Sequence, residues 1–474
     1  MLVLALEAST SAAKALLYDT ERGVVRVSTS PFPQTISRGG VSQTEQITRW
    51  TLENGAKVAA GQPVAAIALC GTWHNVAVCE ENLCPLGETY SWDFVEPQAS
   101  CAQLCRDEAR TDWLYRRTGC MVHSSYPRQQ LLYLWQQGME LSNRRLMSQG
   151  GHLFYTLTGT WCESVSMASG SGLVNLQTLQ YDEEVLNWMQ LRKAQLPPLV
   201  SYEQTCPLTI QGAQWLGLQP GIPVVPPYPD GALNQLAAGA MKPGRMTLSV
   251  GTSAALRVAV DAPVLPQNRQ LWCYYGVNGW ITGAAVSGAG NCINWFLRDC
   301  LQGKWSYGDF EKEIGSIADL PVFLPFLFGE RCPGWQSGRM GGFVDVLPEH
   351  GILELYKGMQ LGILENLLQC YTPLTDMTGK PERILVSGGI LHAPQWLQML
   401  ADVFEQAICC DDMVHASTMG AVALALTAAG AAAQPENALS NCLEQMRQVV
   451  PNPERSAYYR HQYERYLRWY AKTT

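Results

Sequence analysis

With 474 residues the chain is long enough for two or more domains, each burying most of its apolar surface without disulfide or metal support. A net charge of −8 at pH 7, with acids and bases interspersed, offers no basic field to nucleic acid and excludes it as an expected partner. The sixteen cysteines show no Cys-x-x-Cys and no zinc-type Cys/His cluster, and no apolar run reaches the length of a membrane span, so the reading is a cytoplasmic protein with reduced thiols and no membrane partner.

In chain order, Leu2–Leu6, Ala15–Tyr18 and the stretch around Val24–Ser28 read as an antiparallel meander, joined by a Ser/Thr turn at Ser9-Thr-Ser and by Asp19-Thr-Glu-Arg-Gly. Thr48–Ala60 is a predicted helix. Val64–Leu69 is a predicted buried strand that runs into Cys70-Gly-Thr-Trp-His, and Val76–Cys79 is another strand. From Glu96 to Trp188 helices are expected at Gln98–Thr118, Tyr126–Gln137 and Asn143–Leu157, which makes the first half strands decorated by a helical insertion. The pairs Cys101/Cys105 and Cys409/Cys410 read as small buried hydrophobes, against a local disulfide or metal.

After a short strand at Ile222–Val225, Tyr228-Pro-Asp-Gly opens an apolar helix with Leu233, Leu236, Ala237 and Ala240 on one face. Lys242-Pro-Gly then turns the chain into a strand, Met246–Val250, that ends in Gly251-Thr-Ser. The second half repeats the logic of the first. Strands are expected at Ala255–Val260, Leu271–Val277 and Trp280–Gly283, helices from Gly290, over 308–316 and over 352–373, then a strand Arg383–Val386 and helices Pro394–Phe404 and Met419–Ala431. The closing helix, Pro453–Tyr470, interleaves tyrosines with Arg455, Arg460, Arg465 and Arg468; docked aromatics and solvated arginines are preferred there over base stacking, because the overall charge is acidic.

The tetrapeptide Thr-Ser-Ala-Ala occurs at Thr10 and again at Thr252, about half a chain apart, and marks two similar halves. A turn dense in Gly, Ser and Thr between two strands offers N–H groups and hydroxyls to an anion, so the two turns are candidates to bracket a polyphosphate, with Lys14 in reach. Asp230 at a helix start suits a cap; a carboxylate there also stays ionised and accepts a proton from a hydroxyl held nearby. Glycine turns at Gly283–Gly290 and at Ser387-Gly-Gly389 let a ligand approach backbone at strand-to-helix junctions, and neither matches a Walker or dinucleotide loop. Glu330 and Arg331, after an apolar run, read as an ion pair at a loop corner.

The order of these motifs resembles the FGGY carbohydrate kinases over essentially the whole chain. Glu7-Ala-Ser-Thr-Ser-Ala-Ala-Lys14 looks like the family's first phosphate turn, Thr44-Glu-Gln46 like its Val-Glu-Gln, Gly71-Thr-Trp-His74 like its Gly-Gln-Met-His sugar segment, and Thr118-Gly-Cys-x-x-His123 through Tyr126-Pro like its first signature. Asp230-Gly-Ala matches the segment that holds the family's catalytic base, Gly251-Thr-Ser its second phosphate loop, Gly290 and Ser387-Gly-Gly389 its nucleotide-contacting glycines, and Ser417-Thr-Met-Gly-Ala-Val its closing motif. Several positions depart from the pattern. Glu7 stands for an aspartate, Ser9 for a glycine, Gln130 for the signature lysine and His415 for a common glutamate, and Ser91-Trp-Asp-Phe-Val-Glu96 lacks an arginine.

The resemblance implies an α/β fold of two ribonuclease-H-like (actin-like ATPase) domains, 1–241 and 242–474, around a central cleft. It implies an ATP- and Mg2+-dependent kinase acting on a primary hydroxyl of a small sugar, sugar acid or polyol, gluconate or a ketopentose being favoured. Asp230 is then the expected general base. Trp73, His74, Glu45 and Tyr126 are expected to join it in the sugar pocket. Thr10, Ser11, Lys14, Gly251, Thr252, Ser253, Gly290, Asn294, Gly388 and Gly389 would hold the nucleotide, and Glu7 with Asp230 the metal. A sensing homologue that binds sugar or nucleotide without turnover is the alternative, motivated by Glu7, Asp93 and Gln130, and homodimerisation is left open.

Overall fold

The computed structural model describes residues 1–313, 319–411, 413, 415–439 and 446–473. In the first half, Leu2–Ala8 (β1) is buried at every residue but the first, as expected of a central strand covered on both faces. It pairs antiparallel with Ala12–Asp19 (β2), which pairs antiparallel with Gly23–Pro31 (β3), and this ladder sets Glu7 directly opposite Lys14. Helix α1 (Thr44–Ala59) returns the chain to β4 (Val64–Gly71), parallel to β1. The insertion follows and contains α2 (Gln149–Thr158); β5 (Cys206–Pro207) and β6 (Pro223–Pro229) then complete a six-stranded sheet of order β5-β6-β4-β1-β2-β3. Helix α3 (Asp230–Ala237) starts where β6 ends.

The second sheet holds β7 (Arg245–Val250), β8 (Ala254–Val260), β9 (Trp272–Tyr275), β10 (Trp280–Val286), β11 (Arg383–Gly388), β12 (Ile408–Cys410) and β13 (Gln448–Val449), in the order β9-β10-β8-β7-β11-β12-β13. Each sheet is built on an antiparallel unit, β3-β2-β1 or β10-β8-β7, extended by two parallel strands, β4 and β6 or β11 and β12. The duplication read from the paired turns is therefore a duplication of topology.

Helices of the second half in sequence include α4 (Gly290–Trp295), α5 (Ile352–Thr378), α6 (Pro394–Phe404), α7 (Ala416–Ala428) and α8 (Pro453–Lys472). Helix α7 crosses back in space. Its Met419, Val422 and Leu424 share a core with Val3, Ala5 and Ala68 of the first sheet and with Leu233 and Leu236 of α3. A Cβ on Gly420 would stand 2.2 Å from the Leu233 carbonyl oxygen, so glycine sets how closely α7 and α3 approach. Helix α7, beyond residue 241 in sequence, thus packs against elements of the first half.

Several expected elements change at their ends. The single helix over Gln98–Thr118 is two, Gln98–Cys105 and Glu108–Thr118, because the Asp107 side chain accepts from the Arg110 N–H and starts a new helix. Within Asn143–Leu157, Arg145–Met147 is a strand paired with Val76–Cys79, and α2 begins only after Ser148, which caps it. Strands Val41–Gln43 and Pro85–Tyr90 lack an apolar alternation strong enough to show in sequence. The expectation over 308–316 holds for the described part of helix Tyr307–Glu313, and 314–316 lie outside the described residues. Cys101, Cys105 and Cys409 are free thiols. On α8, Tyr459 and Tyr466 are buried while Arg455, Arg460 and Arg468 face solvent. No described helix is long and apolar enough to cross a membrane.

Candidate active site

A cavity of about 210 Å³ lies between the two halves, walled by Thr72, Trp73, His74, Trp92, Tyr126 and Asp230 on one side and by Ser253, Arg257, Trp272, Tyr274, Arg331 and Trp335 on the other. Asp230 is the first residue of α3, with Pro229 in the capping position. Its Oδ1 accepts the N–H of Gly231 at 2.8 Å and that of Trp73 at 3.3 Å, and no described residue donates to Oδ2. Burial pushes its pKa up from the ordinary aspartate value, the charge of Glu7 adds to the rise, and Arg257 opposes it.

Trp73 is held by its indole N–H on the Ser166 carbonyl, 3.0 Å away. His74, in the left-handed backbone region at φ 61°, has Nδ1 2.6 Å from the Gly170 carbonyl oxygen. A carbonyl only accepts, so Nδ1 carries the proton. Burial lowers the His74 pKa to about 4, which leaves a neutral ring whose Nε2 is an acceptor at neutral pH. The hydroxyls of Tyr126 and Tyr274 share a hydrogen bond of 2.6 Å across the two halves, and Trp272 stacks on Tyr274 with ring centroids 4.4 Å apart. Aromatic faces of this kind suit the C–H side of a sugar, with polar groups at the rim.

A second cavity, about 470 Å³, is lined by Val250, Gly251, Thr252, Gly290, Asn294, Tyr307, Glu311, Gly389, Ile390, His392 and Trp396. The turn after β7 separates the two spaces: Gly251 and Thr252 face the larger cavity, Ser253 the central one. The N–H groups of Gly290 and Asn291 donate to the Gly251 and Thr252 carbonyls, pinning the turn to α4. A Cβ on Gly290 would lie 2.6 Å from the Gly251 oxygen. Gly388, at φ 94°, sits equally close under Val250.

The sequence-predicted residues separate into groups. Trp73, His74, Tyr126, Asp230, Thr10 and Ser253 line the central cavity, and Gly251, Thr252, Gly290, Asn294 and Gly389 the larger one. Ser11, with Thr10 and Asp93, lines a third polar space beside the first turn. Glu45 is not brought in: it is exposed on the first turn of α1 and lines neither cavity. Gln130 is buried and spends its amide N–H groups on the carbonyls of Ser91, Ser124 and Ser125.

Glu7 and Lys14 face each other instead of a cavity. Lys14 Nζ is 2.7 Å from Glu7 Oε1, and the hydroxyls of Ser417 and Thr418 donate to Oε2 at 2.6 and 2.9 Å. Magnesium takes one or two carboxylates in near-octahedral geometry, with water and phosphate filling the rest. Both Glu7 oxygens are engaged, Oε1 by the Lys14 ammonium and Oε2 by two hydroxyls. In this arrangement Glu7 does not fit as a direct magnesium ligand, whereas Asp230 Oδ2 has no described donor.

Arg257, Arg331, Trp92, Trp272, Tyr274 and Trp335 line the cavity and escape a reading of local sequence. The expected pair at the loop corner is not formed. Glu330 binds Arg339 at 3.0 Å and the Tyr470 hydroxyl at 2.6 Å, which frees Arg331 for the cavity. The one signal available for Arg257 was a charge inside the apolar strand Ala-Ala-Leu-Arg-Val-Ala-Val.

Comparison with known proteins agrees with this architecture. The model of the N-terminal domain of the FGGY family of carbohydrate kinases matches residues 2–237, and that of the C-terminal domain matches residues 246–429. A gluconokinase of Bacillus subtilis (strain 168) is 25% identical over 454 residues, covering 90% of this chain and 88% of its own. Crystal structures of a gluconate kinase and a ligand-bound xylulose kinase, both from Lactobacillus acidophilus, match with TM-scores of 0.91 at 24% and 25% identity, over 99% and 98% of this chain and 97% of each of theirs.

Proposed function

The chain belongs to the FGGY family of carbohydrate kinases, and from that premise we propose that it transfers the γ-phosphoryl group of ATP to a primary hydroxyl of a small sugar, sugar acid or polyol, with Asp230 as the general base. The observation that carries this reading is the free Oδ2 of Asp230 in the wall of the central cavity, beside a turn shared with a second cavity of nucleotide size. Gluconate and a ketopentose are the acceptors to which the names of the similar proteins point.

In this mechanism His74 Nε2 and the aromatic walls orient the sugar. Its primary hydroxyl donates to Asp230 Oδ2. As the hydroxyl oxygen bonds to the γ-phosphorus and the bond to the bridging oxygen breaks, the proton passes to Asp230 and ADP departs. Positioning and charge placement supply most of the acceleration in phosphoryl transfer, so the chain's task is to hold the two partners in line and exclude water. The backbone N–H groups and hydroxyls of the turn after β7 are the candidates to hold the phosphates. Free thiols throughout the described residues fit a reducing, cytoplasmic setting.

The Glu7–Lys14 pair favours a second reading, a binding homologue without turnover, because it occupies the carboxylate that would serve a metal. ADP release measured over a panel of aldonates, ketoses and polyols, with Asp230→Asn as control, tests the choice. Acceptor-dependent ADP release that disappears in Asp230→Asn supports the kinase. Thermal stabilisation by a sugar with no turnover on any acceptor supports the binder.

A further inference from the structure

The kinase reading leaves a sugar acid and a neutral ketose as rival acceptors, and the charges around the central cavity separate them. Arg257, on β8, donates Nη1 to the Ser249 hydroxyl at 3.2 Å. Arg331 donates Nη2 to the Val286 carbonyl at 3.1 Å and stands 5.0 Å over the Trp92 ring. In both residues Nε is buried with no hydrogen-bond partner, and among the described residues neither guanidinium has a carboxylate within ion-pair distance. Both side chains are half-buried in the cavity wall, and a guanidinium that gives up part of its hydration there is stabilised by an anionic partner.

The neighbouring groups cancel this charge only in part. Among the described residues Asp230 is the only acid in the cavity wall. Asp93 draws on Arg331 from the adjoining space and is itself pushed up by burial. His74 and His123 are held neutral, their pKa values lowered to about 4 and about 3 by burial with Arg331 adding to both. Burial lowers the Arg257 pKa most, the Asp230 charge offsets part of that and Arg331 lowers it further, so the strain between the two cations is only partly relieved.

A neutral polyol leaves that strain in place, whereas a carboxylate relieves it. Planar guanidinium N–H groups match the two oxygens of a carboxylate, and such charge-assisted bonds are the strong ones. We propose that the acceptor is an aldonic acid, its carboxylate taken by the guanidinium pair Arg257 and Arg331 while the hydroxyl at its other end reaches Asp230. This rests on the kinase reading for the hydroxyl end; the carboxylate end stands on the unpaired arginines.

The experiment compares D-gluconate with glucitol, which has the same carbon count and no charge, and with D-xylulose. Binding to the unmutated protein is measured by calorimetry without nucleotide, and turnover by ADP release. The expected result is gluconate bound and turned over in preference to both neutral compounds. Arg257→Met and Arg331→Met are expected to lower kcat/KM for gluconate about 10- to 100-fold more than for glucitol, chiefly through KM, with Arg→Lys recovering part of the loss. Equal losses on charged and neutral acceptors would mark the arginines as acting on the phosphoryl group in transit and overturn the proposal. So would glucitol or xylulose binding as tightly as gluconate. Preferential gluconate binding with no turnover on any acceptor would uphold the charge recognition and sink the kinase reading alone.

Discussion

Lys14 Nζ lies 2.7 Å from Glu7 Oε1 across the ladder of the first two strands, and Glu7, only 2% exposed, is tied on its other oxygen to Ser417 and Thr418 of α7. This arrangement joins the first strand to a helix more than four hundred residues later. Lys14→Met leaves a buried carboxylate with two hydroxyl donors and no counter-charge. The expected cost is about 2–4 kcal/mol in denaturant unfolding, reduced from a fully buried pair by the partial exposure of the lysine. The double variant Lys14→Met/Glu7→Gln should recover part of that loss, and additive costs would show that the pair is not coupled.

Asp230 has to be ionised to accept a proton, and burial together with Glu7 holds its pKa above the usual 3.8. The acid limb of kcat/KM should therefore lie at higher pH than an ordinary aspartate would give, with activity rising through it as pH rises. Arg257→Met removes the charge that opposes the shift and should move the limb further up. Asp230→Asn should lower turnover about 10²- to 10⁴-fold. The same raised pKa makes folding less favourable as pH climbs from 3.8 through the folded-state value, so Asp230→Asn should also raise the thermal midpoint near neutrality.

His74 titrates near 4, below the working range, so the pH profile should show no inflection near 6.5 from this ring. His74→Ala should raise KM for the acceptor more than it lowers kcat, since it removes a sugar-facing acceptor and leaves Asp230 in place. A pH–rate series with and without the substitution checks both points.

Gly231 follows the base, and a Cβ built on it would stand 2.7 Å from Trp73 Cζ3 and 2.8 Å from Cε3. The Trp73 ring is pinned at its indole N–H and has little freedom to yield. Gly231→Ala should displace either the ring or Asp230, with an expected fall of about 10²-fold in kcat/KM. Unchanged kinetics would show that the wall is softer than the contacts imply.

Glu365 lies buried on α5 with Oε1 unpartnered, and burial pushes its pKa up to about 8. For a carboxyl raised in the folded state, its stabilising share is complete below 4.5 and is lost as pH rises towards 8. Glu365→Gln should therefore stabilise the protein above pH 7 by roughly 2–4 kcal/mol and flatten its stability profile over that window. Denaturant midpoints at pH 5 and pH 8.5 decide it.

Much of this molecule is written in local pattern. The paired Thr-Ser-Ala-Ala turns, the apolar strands before them and the Asp-Gly at a helix start are short-range features, and each reappears in space as the matched cores of two sheets and the start of α3. Such signals survive because strand alternation, glycine turns and helix starts depend on neighbours within a few residues. Weak signals failed at the same scale. Asp107 and Ser148 each open a helix inside a stretch whose apolar pattern reads as continuous.

The chain by itself thus determined the duplicated architecture, the family and the carboxylate at the cleft. Only the tertiary structure decided which side chains share a cavity with that carboxylate. Arg257, Trp272, Arg331 and Trp335 meet there although sequence separates them widely, Glu45 is turned to solvent despite its motif, and Glu7 is claimed by Lys14 and α7. The physical reason is that a motif sets a residue's type and backbone, while the direction and charge partners of its side chain come from elements brought alongside by packing.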